Sequence, residues 1–375
     1  MKIKRYYDNL ASYIEPNKGL IILGPRRVGK TTLLKGFLEE TRLHYKLDSG
    51  DNIKTQHVLG SQDFEQIREY AAGYELIAVD EAQRIPSIGQ GLKIMVDQIP
   101  GIRVVVTGSS SFELSGQVGE PLTGRKTTLT LFPVAEMELA DRLNLHEMRE
   151  RLPERLVFGS YPEVITASTR ADKARVLEEL LHSYVFKDIL ELERVKGSKI
   201  LLDLLRLVAY QVGGEVSLSE LGAQIGLDTK TVSRYLDLLE KSFVLFNLRG
   251  FSRNLRKEVT KKSKYFFYDT GLRNAVISNF NAIDERDDVG ALWENFIMLE
   301  RLKMRSYRGI YANPYFWRTW DRKEVDLVEE REGKLFGYEC KYSGAGGKNI
   351  KSWQAAYPEA EFAVISKENY LDFIL

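Results

Sequence analysis

The stretch Gly24-Pro25-Arg26-Arg27-Val28-Gly29-Lys30-Thr31-Thr32 decides the reading of this chain. It fits G-x-x-x-x-G-K-[ST], a spacing that folds backbone around phosphate. Glycines permit the tight turn, so successive N–H groups point at phosphate oxygens. Lys30 reaches the β- and γ-phosphates, and the Thr31 hydroxyl ligands Mg²⁺. Gly24 to Thr32 are therefore the expected ATP contacts. Before them, Gly19-Leu-Ile-Ile-Leu23 is a short apolar run that reads as a buried parallel strand. After them, Thr32 to Glu40 has helical spacing. Strand, loop, helix is the context the motif requires.

Some fifty residues on, Leu76-Ile-Ala-Val-Asp80-Glu81-Ala82-Gln83 is an apolar strand ending in two acids. In a P-loop ATPase the first acid, Asp80, holds Mg²⁺ directly or through water, and the second, Glu81, polarises the attacking water. A hydrolytic base separates an ATPase from a nucleotide binder, so Glu81 carries the expectation of enzymatic activity. The alternative for Glu81 is an acid capping the next helix. A third strand, Ile102-Arg-Val-Val-Val-Thr107, runs into Gly108-Ser109-Ser110-Ser111. Ser109 is the expected sensor of the γ-phosphate, with Thr107 as its neighbour. Ligands of open α/β sheets bind at the carboxyl ends of strands, where these three segments converge.

These runs, with Leu122-Thr-Gly-Arg125-Lys126 following, resemble the bacterial and archaeal AAA-type ATPases of the prokaryotic AAA+ group. The resemblance continues into a C-terminal domain that those proteins often carry, described as similar to the PD-(D/E)XK nuclease fold. It implies a nucleotide-dependent oligomer, a ring or partial ring. It makes Arg125 a candidate phosphate-contacting arginine, in cis or from a neighbouring subunit; the alternative is a surface arginine after a turn. It also makes Gly159-Ser-Tyr161-Pro162-Glu163 a family feature, to which no chemistry is assigned.

The chain of 375 residues is 43% hydrophobic and 29% charged, the composition of ordinary globular domains, and is long enough for two or three cores. A net charge of +1 gives no global pull toward polyanions, so nucleic-acid contact requires a local patch. The single cysteine, Cys340, excludes an internal disulfide and fits a reducing cytosol. No apolar run approaches ~20 residues, and the N-terminus lacks the apolar core of a signal peptide, so a cytoplasmic protein without a membrane span is expected.

The expected fold class is α/β, with a P-loop AAA+ doubly wound parallel sheet over residues 1–140. A helical lid or linker follows over 141–198, then a winged helix over 199–272 and an α/β nuclease-like domain over 273–375. In the third segment Ser217 and Glu220 form a capping-box pattern, Gly226 suits a tight turn, and Asp228 to Glu240 reads as a second amphipathic helix. Phe243–Leu248 and Tyr265–Tyr268 read as strands around a loop that carries Arg249, Arg253, Arg256, Lys257, Lys261, Lys262 and Lys264 against one acid, Glu258. Lys230, Ser233 and Arg234 on the helix, beside this basic wing, suit phosphate contacts on duplex DNA without a base-reading code. The alternative is a packing module with a solvated loop.

The last segment holds a second constellation. Glu294 lies on a helix, Asp326 on one strand, and Glu339-Cys-Lys341 on the next, where alternation puts Glu339 and Lys341 on one face. This is the order of a PD-(D/E)XK site. Asp326, Glu339 and Glu294 would hold Mg²⁺, and Lys341 would orient water or stabilise the pentavalent phosphate. The alternative is a nuclease-like fold kept for binding.

The sequence thus predicts an ATP- and Mg²⁺-dependent AAA+ protein that remodels, moves along or processes branched or duplex DNA by structure rather than by sequence. The rival reading is a nucleotide-dependent oligomeric switch of the signalling or defence type that binds a protein partner.

Overall fold

Short apolar runs become the strands of a parallel sheet. The computed structural model describes residues 3–109, 122–183, 198–252, 263–319, 323–343, 346–347 and 350–375. These divide into two compact units, 1–133 with 241–243, and 134–240 with 244–375.

The first unit runs β1 (Lys18–Leu23), α1 (Lys30–Glu40), β2 (Tyr45–Ser49), α2 (Ile53–Gly60), α3 (Phe64–Ala71), β3 (Leu76–Asp80), α4 (Ile88–Gln98), β4 (Arg103–Gly108) and β5 (Lys126–Thr130). The sheet order is β2-β3-β4-β1-β5, and every pairing is parallel. The inner strands are apolar throughout rather than alternating, because helices cover a parallel sheet. On one face Ile21, Leu23, Ile77, Val79, Val104 and Val106 pack against Ile67 of α3 and Leu92 and Met95 of α4. Each such side chain stabilises the fold by about 1.5–3 kcal/mol when fully buried. Asp63 starts α3 by accepting from the amides of Glu65 (2.8 Å) and Gln66 (3.0 Å). The expected α/β class holds. Because β4 lies between β1 and β3, its C-terminal end separates the phosphate loop from the acids of β3.

The second unit opens with α5 (Glu136–Leu139), α6 (Leu145–Phe158), α7 (Pro162–Thr166) and α8 (Arg170–Leu180). Next come α9 (Ser198–Tyr210), β6 (Glu215–Val216), α10 (Leu218–Ile225), α11 (Thr229–Lys241), β7 (Leu245–Gly250), β8 (Ser263–Phe267) and α12 (Thr270–Val276). It closes with α13 (Val289–Arg308), β9 (Asn313–Arg318), β10 (Glu324–Arg331), β11 (Lys334–Cys340), α14 (Ile350–Ala356), β12 (Glu361–Ile365) and α15 (Tyr370–Ile374).

One sheet, in the order β12-β11-β10-β9-β7-β8-β6, runs through this unit. Strand β7 pairs with β9 in parallel, Arg249 opposite Tyr315, and the Phe251 amide donates to the Phe316 carbonyl at 2.6 Å. Strands from both sides of residue 272, the expected domain boundary, therefore share one sheet, while 272 itself lies in α12. The helices expected as a nucleotide lid are built into this second unit as well. Asn274 of α12 donates to the carbonyls of Leu156 (3.1 Å) and Val157 (2.8 Å), and the Ser160 amide donates to Asp269 at 2.7 Å. Buried Glu329 of β10 takes two bonds from Arg301 (both 3.0 Å) and one from Arg305 (2.8 Å), fastening α13 to the sheet. Among the described residues no helix is long and apolar enough to cross a membrane.

Candidate functional site

The phosphate loop leaves β1 at Gly24, whose φ is +144° and whose Cα approaches β5 so closely that a Cβ would lie 2.0 Å from the Leu131 carbonyl oxygen. Only glycine fits there. The loop ends at Gly29, φ +97°, which starts α1 with no side chain capping the helix. Uncapped first-turn amides with the helix dipole behind them favour an anion. Lys30 is buried, and its ammonium donates to the carbonyls of Gly24 (2.8 Å) and Pro25 (2.7 Å), inside the curve of the loop. From the N-terminal segment, the buried Arg5 guanidinium donates to the Val28 carbonyl and, at 2.7 Å, to that of Phe132. Nothing in the loop motif signals Arg5, which stands 23 residues from Val28.

The Thr31 hydroxyl donates to both carboxylate oxygens of Asp80, at 2.8 and 3.1 Å. Thr107 of β4, fully buried, donates to Asp80 from its other side and accepts the Glu81 amide at 3.1 Å. The hydroxyl that bonds Asp80 and the Glu81 amide is thus Thr107; Ser109 is buried two residues farther on, past the end of β4. Glu81 stands at the N-cap of a short 3-10 helix, Ala82–Arg84, but its side chain makes no capping bond. It adopts left-handed φ, +52°, at the end of β3, a conformation that costs about 1–2 kcal/mol for a residue with a Cβ. The turn sets its carboxylate against the Gln83 amide, which donates to it. Asp80 and Glu81 therefore end one strand with different surroundings, Asp80 between two hydroxyls and Glu81 beside an amide.

The C-terminal acids are arranged otherwise. Lys264, on β8 and only 1% exposed, forms ion pairs with Glu294 of α13 (3.2 Å) and with Glu324 of β10. Asp326 accepts the Cys340 amide at 2.7 Å. Glu339 accepts the Gly347 amide at 2.7 Å and lies 3.3 Å from the Lys341 ammonium. Burial, partly offset by Lys264 and reinforced by Asp326, pushes Glu294 up to about 8. Burial also raises Asp326 against the pull of Lys264. Among the described residues no three His, Cys, Asp or Glu side chains come together as a metal site. The three acids expected to hold Mg²⁺ bond instead to the Lys264 ammonium (Glu294), the Cys340 amide (Asp326) and the Gly347 amide (Glu339).

On α11, Asp228 caps the first turn through the amides of Lys230 (2.9 Å) and Thr231 (3.0 Å). Val232, Tyr235, Leu236 and Leu239 face inward, which leaves Lys230, Ser233 and Arg234 exposed. Arg253, Arg256, Lys257, Lys261 and Lys262 lie outside the described residues.

A family model described as an AAA domain matches residues 16–140, which contain the whole hydroxyl and carboxylate arrangement of the first unit. Residues 16–140 are thus similar to AAA domains, and the phosphate loop, Asp80, Glu81 and Thr107 all fall inside the match. Two models described as domains of unknown function, DUF8612 and DUF4143, match residues 149–282 and 289–372. An uncharacterised protein of Mycobacterium tuberculosis is 29% identical over 332 residues, 86% of this chain and 70% of its own length. An uncharacterised protein of Haemophilus influenzae is 24% identical over 367 residues, 88% of this chain and 84% of its own. Among solved structures, the Walker-type ATPase of Pyrococcus abyssi overlaps 74% of this chain and 96% of its own at 14% identity, with a TM-score of 0.46.

Within the first unit, one hydroxyl and one carboxylate beside an uncapped helix terminus form a donor set that suits Mg²⁺, which keeps waters and takes phosphate oxygens for the rest of its octahedron. Arg125 is not part of this set. It precedes β5 at the level of Gly19, the start of β1, and pairs with Asp97 at 2.6 Å. The phosphate loop leaves the opposite end of β1, roughly 15–20 Å away at the rise of a strand, so a contact in cis is excluded.

Proposed function

We propose that this chain hydrolyses ATP and uses the cycle to act on DNA. The observation that carries the reading is the chain of contacts from Thr31 through Asp80 and Thr107 to the Glu81 amide, set beside the phosphate loop. Mg²⁺ held by Thr31 and Asp80 would supply Lewis-acid charge on the β- and γ-phosphates. Lys30 binds the same phosphates, and the loop amides orient them. Glu81 accepts a proton from the attacking water, while Gln83 holds its carboxylate and Thr107 holds its backbone. Arg125 is left to serve a neighbouring copy in a ring or partial ring.

The DNA part rests on the α11 face of Lys230, Ser233 and Arg234, on a helix–turn–helix joined to a β-hairpin. That order is the winged-helix order, and in sequence the hairpin carries the basic run from Arg253 to Lys262. The test is ATP turnover with duplex, branched and single-stranded DNA, in the wild type and in Glu81→Gln. Stimulation by one DNA form, with turnover lost and ATP binding kept in the variant, is the expected result. Turnover indifferent to every DNA form would move the assignment to a switch that engages a protein partner.

A further inference from the structure

The C-terminal acids pose a question that the ATP site does not answer. Asp326, Glu339 and Lys341 stand in the order of a metal nuclease, yet a cation is already among their neighbours. We propose that Lys264 is the resident cation of this cluster, filling the role of a divalent metal, so that the cluster ties the fold together and does not cut nucleic acid. The inference is independent of the ATP and DNA reading above.

Three observations carry it. The first is burial. Lys264 is the second residue of β8, with β6 on one side and β7 on the other, and its side chain is only 2% exposed. Burying an unpaired ammonium costs several kcal/mol, so a lysine persists there only against fixed carboxylates. Glu294 and Glu324 supply them, and the ammonium also lies 5.3 Å from the centre of the Phe316 ring.

The second is occupancy of the acids. Arg318 lies 3.4 Å from Glu324, and Lys341 lies 3.3 Å from Glu339. One oxygen of Asp326 is taken by the Cys340 amide, and one of Glu339 by the Gly347 amide. Lys264, Arg318 and Lys341 thus stand among Glu294, Glu324, Asp326 and Glu339, with Glu215 also 3.4 Å from Arg318. An entering divalent ion would meet three resident cations, each of which repels it.

The third is distance. Mg²⁺ bound to Glu294 would sit about 2.1 Å from a carboxylate oxygen that an ammonium approaches at 3.2 Å. Two cations at such range repel strongly in a buried site. Metal entry therefore requires Lys264 to leave, which would strand it without partners. What the pairing does instead is mechanical. It fastens the β7–β8 hairpin to α13 and β10, two residues beyond the basic run that ends at Lys262.

The experiment is a Mn²⁺ titration of the full chain, read by the electron paramagnetic resonance of free Mn²⁺. No nucleotide is added, and Asp80→Asn is the background so that the ATP site lacks the carboxylate that pairs with Thr31. With Lys264 present, no binding is expected up to about 1 mM, whether or not Asp326→Asn is added. Lys264→Ala is expected to gain a site at least roughly tenfold tighter, lost again on adding Asp326→Asn. Binding below that concentration with Lys264 present, abolished by Asp326→Asn, would overturn the proposal. So would a folded Lys264→Ala chain that gains no site. Should Lys264→Ala not fold, the paired titrations with Lys264 intact decide the matter alone.

Discussion

The two units each fix carboxylates in place, and treat them in opposite ways. In the first unit Asp80 is held by the hydroxyls of Thr31 and Thr107, which are neutral donors. In the second unit Glu294 and Glu324 are held by Lys264, and Glu329 by Arg301 and Arg305, so that each charge is already spoken for. A carboxylate fixed by hydroxyls can still hold a cation, whereas one fixed by an ammonium or guanidinium has become part of the scaffold. The position of an acid in a motif does not distinguish these cases; the chemical type of its donors does.

The comparison breaks if acids in the two units respond alike to substitution, and the largest contrast should come from Glu329 and Asp80. Glu329→Gln removes the only carboxylate that the buried Arg301 and Arg305 share, leaving each with a backbone carbonyl and a neutral amide, and should cost about 3–5 kcal/mol, read as a lower urea midpoint. Asp80→Asn keeps acceptors for both hydroxyls and should shift stability by no more than about 1 kcal/mol, while ATP turnover falls by roughly 10²–10³. Unfolding by Asp80→Asn, or an unchanged midpoint in Glu329→Gln, would remove the distinction.

Thr107 sharpens it next. Thr107→Val keeps the shape but removes both the bond to Asp80 and the acceptor of the Glu81 amide. Turnover should fall by roughly 10² with ATP affinity nearly unchanged, because the loss affects orientation of the base rather than the phosphate grip. Equal loss in binding and turnover would instead make Thr107 a packing residue.

Much of the first site was legible because it is local. The loop is nine consecutive residues, Gly24 to Thr32, and the acids end an apolar run, so spacing alone finds them. Choosing between Thr107 and Ser109 required knowing where β4 stops, and sequence patterns rarely fix a strand end to better than about two residues. Arg5 left no signal, since its bonds to Val28 and Phe132 depend on the tertiary path of the N-terminal segment. In the second unit the pattern of Asp326, Glu339 and Lys341 was visible, but its counter-charge was not. Lys264 stands 30 and 60 residues from its partners. It also follows Lys261, Lys262 and Ser263, which made it read as loop. Alternation gave no warning, because Lys264 to Phe267 are buried on both faces of β8.

A smaller contrast appears in pH dependence. Burial pushes Glu136 up to about 7 from 4.5, with Glu300 adding to the shift while Arg155 and Lys303 oppose it. The native state then binds the proton more tightly than the unfolded chain. Its contribution is complete below the unfolded value and disappears as pH rises through about 7, a change of up to about 3 kcal/mol. Glu136→Gln should flatten that part of the wild-type profile in chemical denaturation between pH 5 and 8. An unchanged slope would mean that the buried Glu136 carboxylate is ionised throughout.

The smallest expected effect tests whether the exposed cations of the second unit differ from its buried ones. Lys264 and Arg301 are buried against carboxylates, while Lys230 and Arg234 are exposed on α11, Arg234 lying over the Tyr235 ring. A cation that neutralises a DNA phosphate releases a counterion, so its removal lowers the slope of log affinity against log salt by about 1. Lys230→Gln and Arg234→Gln should each do so, weakening duplex binding several-fold at low salt and equally for unrelated sequences. The urea midpoint should stay within about 0.5 kcal/mol, as for a surface substitution. A lower affinity with an unchanged slope would mean that these side chains shape the helix rather than touch phosphate. In that case the exposed face of α11 would be a protein contact, and the charges of the second unit would all be structural.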